Sequence, residues 1–187
     1  MTLPHAYAWL AKEGAPRMLV EALKLVGTLE VPGTADNPKI IAWADEVAAA
    51  FPGGYNNWAA SFYGDDSIPW CGLLMAICAV RAGRPPPDKY LSALAWASFG
   101  NPVARTGAML GDVLVFTRKG GGHVAQYVGE DATAFHIIGG NQSDAVTITR
   151  KAKSQLHAVR RAPYINQPAN VRKIVLSAVG ALSTNEA

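Results

Sequence analysis

The sequence lacks a strong charge of either sign. Its 187 residues contain 17 Lys and Arg against 14 Asp and Glu, a formal net charge of +3, and the basic residues gather late, at 150–153, 160–161 and 172–173. Nucleic-acid-binding domains carry a larger and more clustered basic excess. We therefore expect no nucleic-acid partner. We interpret the basic segments as a solvated face, although they would also suit an anionic polymer.

Cysteine is scarce, with Cys71 and Cys78 as the two residues of this type. If both lie on one helix, their spacing places them about 10 Å apart, which exceeds the reach of a disulfide. Two unpaired thiols are typical of a protein made in a reducing compartment. Cys78 fits a small buried packing residue, which leaves Cys71 as the candidate for chemistry.

Long hydrophobic runs are also lacking. No segment has the roughly 20 consecutive apolar residues that a membrane-spanning helix needs, so we expect no stable membrane insertion. The first ten residues contain Pro4 and His5 and no Lys or Arg ahead of the apolar residues, which does not resemble a signal peptide. We expect synthesis in the cytoplasm, and any action outside it would need another factor for export or release.

Apolar residues make up 50% of the chain, enough for one compact domain without a structural metal or disulfide. Breaker residues divide the chain into a lead-in at 1–16, a main domain at 17–162 and a tail at 163–187. Within the tail, residues 171–182 have the composition of a short accessory helix. The organisation therefore favours a single functional domain with short appendages.

Apolar residues recur at helical spacing in the first half of the chain and at two-residue spacing in the second half. The first pattern predicts helices at 17–26, 38–50, 69–82 and 91–96, with Asn37 capping the second. The second pattern predicts a hairpin turn at 119–122 and strands at 111–118, 123–128, 134–139, 145–150 and 156–161. Helices followed by an antiparallel sheet define an α+β fold with about five strands.

Residues 55–66 are rich in Asn, Gly and Asp and carry four aromatic residues, Tyr55, Trp58, Phe62 and Tyr63. We interpret them as a surface loop that walls a cleft, and an irregular packed loop is an equally good interpretation. Trp58 is a candidate for contact with a ligand, including a sugar, with a core position as the alternative.

Cys71 is the candidate nucleophile. It follows Pro69 and Trp70 at the predicted start of a buried helix. The free backbone N–H groups and the positive end of the helix dipole at such a position favour a thiolate over a thiol. A cysteine in this setting is typical of enzymes that form a thioester.

Acyl transfer by cysteine also needs an imidazole and a third polar group that holds the imidazole in one tautomer. His123 opens a strand after three glycines, and Asn141 follows Gly139 and Gly140 at the end of the next strand. Adjacent antiparallel strands place these ends side by side, which predicts a Cys71-His123-Asn141 arrangement. His136 lies inside that second strand on the opposite face. We expect a packed structural histidine there, with a role as the third member left as the alternative.

Four short motifs occur in the order Pro69-Trp70-Cys71, Gly111-Asp112-Val113, Gly121-Gly122-His123-Val124-Ala125 and Gly139-Gly140-Asn141-Gln142. Together they resemble CHAP-type cysteine peptidase or amidase domains. These domains belong to the NlpC/P60 group of papain-like peptidoglycan hydrolases, many of them in phage endolysins. The likeness runs from about Met18 to Arg161.

The resemblance implies a papain-like fold with Cys71 as nucleophile, His123 as general base and later acid, and Asn141 as the orienting group. Asp66, Trp70, Trp58 and Gln142 are further candidates for substrate or oxyanion contact. Many CHAP domains carry a glutamate where this chain has Gly139, so any role of that acid is missing or filled otherwise. The carboxylate pattern of a calcium loop is absent, and we expect no metal and no cofactor.

The predicted function is hydrolysis of a peptidoglycan amide bond through a thioester, by an endolysin acting as an endopeptidase or an N-acetylmuramoyl-L-alanine amidase. Bacterial cell-wall peptidoglycan is the expected partner and a monomer the expected state. Without a signal peptide, such an enzyme would reach the wall in the periplasm or outside by holin-type release or dedicated secretion. The alternatives are a secreted antibacterial effector amidase, a papain-like hydrolase of a non-wall amide or acyl substrate, and a wall-binding module without activity.

Overall fold

A computed structural model describes residues 3–14, 16–33, 35–178 and 180–183. Helices come first and an antiparallel sheet follows, which confirms the predicted α+β class. The α-helices of the described residues are α1 (Arg17–Leu25), α2 (Pro38–Ala50), α3 (Gly54–Phe62) and α4 (Cys71–Arg81). Short 3₁₀ helices cover His5–Lys12, Ala93–Ser98 and Lys153–Gln155.

The central helix is α4. Every residue from Cys71 to Ala79 is buried, and α1, α2, β3 (Gly121–Glu130) and β4 (Ala134–Gly139) all pack against α4. A helix that is apolar on all sides has to lie inside the protein. The long apolar run after Pro69 therefore explains why the rest of the fold surrounds this helix.

The predicted start of α2 is confirmed. The Asn37 side chain accepts a hydrogen bond from the Lys39 N–H at 3.0 Å, and Pro38 occupies the first turn. An N-cap oxygen satisfies a backbone donor that has no partner inside the helix. This cap also fixes where the loop before α2 must lie.

The sheet has six strands rather than about five. The other four are β1 (Asn101–Val103), β2 (Val113–Arg118), β5 (Thr147–Ala152) and β6 (Leu156–Arg161), and the order is β1-β6-β2-β3-β4-β5. The unpredicted β1 is three residues long and pairs only with β6. Its Pro102 is tolerated because an edge strand needs hydrogen bonds on one side alone.

A tight hairpin sets the position of His123. Arg118 pairs with Gly121, which leaves Lys119 and Gly120 as a two-residue turn with a φ of 84° at Gly120. Such turns need a positive φ that glycine adopts readily. The return strand β3 therefore begins at Gly121, two residues earlier than predicted, and His123 is its third residue.

Both faces of the sheet are covered. One face packs against the helices through Val113, Val115, Val124, Val128 and Ile138. The other carries a second cluster that includes Leu114, Phe116, Ala125, Tyr127 and Ile137. The alternation of these residues along β2, β3 and β4 follows the two-residue repeat of a strand.

The loop prediction for residues 55–66 is wrong over most of its length, because α3 covers Gly54–Phe62. Two asparagines at the start of α3 bond back to the preceding turn. Asn57 Oδ1 accepts the Gly53 N–H at 3.0 Å, and Asn56 Nδ2 donates to the Phe51 carbonyl at 2.7 Å. Asparagine favours such local bonds, so residues that look like loop formers here start a helix.

The accessory helix predicted at 171–182 is not present in the described residues, which are extended there. Leu176 N–H donates to the Glu130 carbonyl at 2.8 Å, and Glu130 N–H donates to the Ile174 carbonyl at 2.9 Å. Over residues 174–176 the tail therefore obtains its backbone hydrogen bonds from the end of β3. None of the helices in the described ranges is both long and apolar enough to cross a membrane.

Candidate active site

The two cysteines lie in different environments on α4. Cys71 stands at its first residue with 7% of its surface exposed, whereas Cys78 is fully buried. Burial raises the pKa of the Cys78 thiol far above its ordinary value, as expected for a thiol in apolar surroundings. Cys78 is thus a packing residue, and Cys71 is the cysteine at the helix end.

One short segment, 90–94, contacts the neighbours of both Cys71 and His123. A Cβ atom at Gly72 would lie 2.3 Å from the Tyr90 carbonyl oxygen, and a Cβ atom at Gly122 would lie 2.8 Å from Leu94 Cδ2. Position 72 needs glycine because the backbone of the segment passes so close, and position 122 needs it because the Phe116 carbonyl oxygen would lie 2.8 Å from a Cβ atom there. The residue after Cys71 and the residue before His123 are consequently held in the same region of the fold.

The imidazole of His123 contacts Gln142. His123 Nε2 lies 3.2 Å from Gln142 Oε1, and both side chains are buried. Gln142 is one residue beyond the predicted orienting group. The resemblance makes Gln142 a candidate for substrate or oxyanion contact, and the structure places its side chain against the histidine.

Three further hydrogen bonds fix the orientation of the Gln142 amide. Its Nε2 donates to the carbonyls of Thr147 at 2.6 Å and Gly139 at 3.2 Å, and Thr149 Oγ1 donates to Oε1 at 2.9 Å. The oxygen must therefore face His123 and accept. An accepting oxygen requires the proton on His123 Nε2, which leaves Nδ1 as the basic nitrogen of the ring.

The side chain of Asn141 makes no hydrogen bond to His123 in the described residues. Both polar atoms of its side chain are buried without a hydrogen-bond partner among the described residues. Its φ is 57°, a left-handed conformation that few residues other than glycine, Asn and Asp adopt. The amide that contacts His123 is thus that of its neighbour Gln142.

The backbone explains this exchange. Gln126 pairs with Ile138, and continuing that register by three residues sets His123 opposite Asn141, as the sequence suggested. The left-handed turn at Asn141 ends the strand alternation before that pairing forms. Gly139 then gives the Gln142 side chain room, because a Cβ atom at 139 would lie 3.3 Å from Gln142 Cδ and 2.9 Å from Ala125 Cβ.

Trp70 is buried and anchors the start of α4. Its Nε1 donates to Glu30 Oε2 at 3.1 Å, and a Cβ atom at Gly140 would lie 2.6 Å from the Trp70 ring. Burial is the main cause that raises the pKa of Glu30, against the bond from Trp70. Trp70, the residue before Cys71, therefore lies against the end of β4 on the helix-covered face.

Asp66 has a structural role in this fold. One oxygen, Oδ2, accepts the N–H groups of Asn37 at 2.8 Å and Val31 at 3.0 Å. A carboxylate that receives two backbone donors holds a loop in place. Asp66 thereby ties the loop before α2 to the turn that leads to Cys71, and contact with a substrate is not needed to account for it.

Three carboxylates, those of Asp36, Asp65 and Asp66, have oxygen atoms within 4.8 Å of one another. Oxygen clusters of this kind are the ligands that hard cations prefer. Part of their capacity is already used, since Asp36 Oδ1 accepts the Asp66 N–H at 3.0 Å and Asp65 Oδ1 accepts the Ser67 N–H at 2.8 Å. The expectation of no metal stays a prediction. The cluster cannot be recognised from the sequence because Asp36 lies far from Asp65 and Asp66 along the chain.

His136 belongs to a separate network. Its Nδ1 lies 2.7 Å from the Tyr7 hydroxyl, and its Nε2 lies 2.9 Å from Asp131 Oδ2. Both ring nitrogens therefore have protein partners away from Gln142. This confirms the expected structural histidine and gives no support to His136 as the third member of the site.

Trp58 lies on α3, with 49% of its surface exposed. It is therefore neither a core residue nor part of a loop.

Thr149 was not anticipated, because a lone threonine on β5 gives no motif, and only the folded chain brings it to Gln142.

A scan against models of protein families finds no match to this chain, and a search of curated proteins finds no similar sequence. The likeness to CHAP-type domains accordingly rests on four short motifs and their order. The structure adds a reason for two of them: Gly121-Gly122-His123 forms the hairpin return, and Gly139-Gly140-Asn141-Gln142 forms the turn that carries the partner of His123.

Proposed function

We propose that this protein is a papain-like cysteine hydrolase that cleaves an amide bond of peptidoglycan, with Cys71 as nucleophile, His123 as base and acid, and Gln142 as the positioning residue. The proposal revises the orienting group from Asn141 to Gln142. An endolysin that acts as an endopeptidase or an N-acetylmuramoyl-L-alanine amidase is the preferred form, as the motif order suggests.

The observation that carries the proposal is the locked orientation of Gln142. Its amide nitrogen donates to two carbonyls, so its oxygen accepts from His123 Nε2. A neutral imidazole held in this tautomer can take a proton at Nδ1 and deliver it again. This is the chemical task of the histidine in cysteine-dependent acyl transfer.

In the proposed reaction, the Cys71 proton passes to His123 Nδ1 and the sulfur attacks the amide carbonyl carbon. The carbon–nitrogen bond breaks as His123 protonates the leaving amine, and a thioester forms. Water then gives a proton to His123 and attacks the thioester, the carbon–sulfur bond breaks, and the thiol is restored. The products are an amine and a carboxylic acid. The backbone N–H at the start of α4 would stabilise the oxyanion.

Mass spectrometry of a defined peptidoglycan tests the reaction. The wild-type protein should release muropeptides whose masses identify the cleaved amide, and Cys71→Ser should release none while keeping its melting temperature. A large loss of stability in Cys71→Ser would mean that the position is structural. Release of no muropeptide by a folded wild-type protein, with turnover of a non-wall acyl or isopeptide substrate, would favour the alternative class of hydrolase.

Alkylation by iodoacetamide tests whether Cys71 and His123 act together, with Cys78 as the internal control. Cys71 should react at a pH below the ordinary thiol pKa of about 8.5, and His123→Ala should move that pH dependence upward. Cys78 should stay unlabelled in both proteins until they unfold. An unchanged profile in His123→Ala would separate the histidine from the thiol and remove the basis of the mechanism.

A further inference from the structure

An aromatic patch, formed by Trp58 and Phe62, is exposed on α3. Each side chain has 49% of its surface exposed, and the two rings stack with centroids 4.8 Å apart and planes at 15°. Of the nine residues of α3, Ala59 is the fully buried one. Grouped exposed apolar side chains mark a binding surface more often than single ones do, and α3 does not use these rings for its own packing.

Direct contacts join the aromatic patch to the candidate site. The Trp58 ring lies 5.0 Å from Tyr55, and Tyr55 meets the Tyr90 ring edge-on at 5.5 Å. The Tyr90 carbonyl is the group that passes over Gly72, the residue after Cys71. The aromatic patch is therefore linked through Tyr55 to segment 90–94, which lies beside Gly72 in the first turn of α4.

The residues that flank the aromatic patch in sequence are uncharged, while the Asp88 carboxylate acts electrostatically on Tyr55 beside the patch. No Lys, Arg, Asp or Glu occurs between Glu46 and Asp65, and the polar residues of α3 are Asn56, Asn57 and Ser61. Helices that lie on membranes usually carry Lys and Arg on their polar face, and anionic polymers call for the same residues. A neutral ligand with a flat apolar face and amide or hydroxyl groups at its edge matches this surface better.

We propose that Trp58 and Phe62 form a platform for the N-acetylhexosamine units of the glycan strand, on which a sugar ring lies flat against an aromatic ring. The proposal rests on the proposed function, since it names the part of peptidoglycan held beside Cys71. It assigns α3 to the glycan and leaves Cys71 and His123 to the peptide. Wall binding and cleavage then depend on different residues.

Binding is measured with Cys71→Ser, so that the polymer stays intact. This protein should sediment with purified sacculi, and a tetramer of N-acetylglucosamine should change its tryptophan fluorescence. Trp58→Ala and Phe62→Ala in the same background should each weaken sacculus binding by about tenfold or more, the loss typical of a central aromatic contact. Ile165→Ala is the matched control, because Ile165 is fully exposed and outside the aromatic patch, and it should bind as the parent does.

If Trp58→Ala and Ile165→Ala bind the sugar equally well and the sacculi equally well, and circular dichroism shows that both are folded, the platform proposal is overturned. Trp58-dependent binding to phosphatidylglycerol–phosphatidylethanolamine vesicles without sugar binding would also overturn it, as would a change in oligomeric state alone. Hydrolysis separates this proposal from the previous one. In an active protein, Trp58→Ala should raise KM for sacculi and leave a sugar-free crosslinked stem peptide unaffected. If neither substrate is cut but the sugar still binds through Trp58, the proposed reaction fails and the platform stands.

Discussion

His123 and His136 are both buried on neighbouring strands, yet their partners differ in charge. His123 Nε2 contacts the neutral oxygen of Gln142 at 3.2 Å, whereas His136 Nε2 contacts the carboxylate of Asp131 at 2.9 Å. Asp131 also receives Arg150 Nε at 2.8 Å. A histidine bound to a carboxylate looks like half of a catalytic triad, but here that histidine lies in the structural network.

The difference shows that position decides between the two roles. Both ring nitrogens of His136 are bound by protein groups, Tyr7 on one side and Asp131 on the other. A ring held in this way stabilises the fold, since each buried polar atom needs a partner. His123 is the third residue of β3, and its neutral partner Gln142 sets its tautomer.

Alanine substitution of each histidine should separate the two roles most strongly. His123→Ala should lower turnover by about 10²–10⁴-fold, the usual contribution of a positioned acid–base group, with a smaller fall in melting temperature than His136→Ala, because Gln142 Oε1 keeps its hydrogen bond from Thr149. His136→Ala should unfold at a lower temperature and keep its turnover per folded molecule. Wall digestion and thermal melts measure both. A folded, inactive His136→Ala protein would reverse the comparison.

Removing the charge of Asp131 should have the largest effect on stability. The Arg150 guanidinium beside Asp131 holds the pKa of that carboxyl well below its usual range. Asp131→Asn would leave the buried Arg150 without its counter-charge, and we expect a loss of about 3 kcal/mol in the free energy of unfolding. Urea denaturation measures the loss. Asp45→Asn, at an exposed position, should change stability little, and an equal loss in both variants would contradict the network.

The identity of the orienting residue can be tested at the two adjacent amides. Gln142→Leu should lower turnover by about 10²-fold, the low end of what a positioned base contributes, and should shift the acid limb of the pH–rate profile. Asn141→Gly, which removes the amide but tolerates the left-handed φ of 57°, should keep the wild-type profile, because the Asn141 amide bonds to no described residue. Turnover measured between pH 5 and 9 distinguishes them. The opposite pattern would restore Asn141 to the role that the resemblance implies.

Acidification should have the smallest effect on stability, and we assign this effect to His136. Burial is the main cause that lowers the pKa of His136, while the bond to Asp131 opposes it and the Arg150 charge adds to it. The unfolded chain therefore binds the proton more tightly, and stability falls as the pH drops below about 6.5. We expect a fall in melting temperature of no more than about 2–4 °C, the shift that 1 kcal/mol produces at this size. His136→Gln should flatten this part of the stability profile, and an unchanged slope would assign it elsewhere.

Much of the fold could be predicted from local pattern. Pro38–Ala50 and Ala134–Gly139 match the predicted boundaries of the second helix and third strand, because capping residues, glycines and periodicity lie within the elements themselves. One exception depends on a distant partner, since the tail bonds to Glu130 rather than forming a helix. The other is local, since α3 forms where asparagine and glycine suggested a loop, with Asn56 and Asn57 bonded to the preceding turn.

The sequence by itself determined the central helix that begins at Cys71, the hairpin that presents His123, and the α+β order. Each follows from hydrophobic period and turn chemistry over a few residues. Only the tertiary structure decided which amide meets His123. A left-handed φ at Asn141 and the missing Cβ of Gly139 turn Gln142 inward, where Thr149 and two carbonyls fix its oxygen. Partners that come from several strands leave no motif, so only the folded backbone could select Gln142 over Asn141.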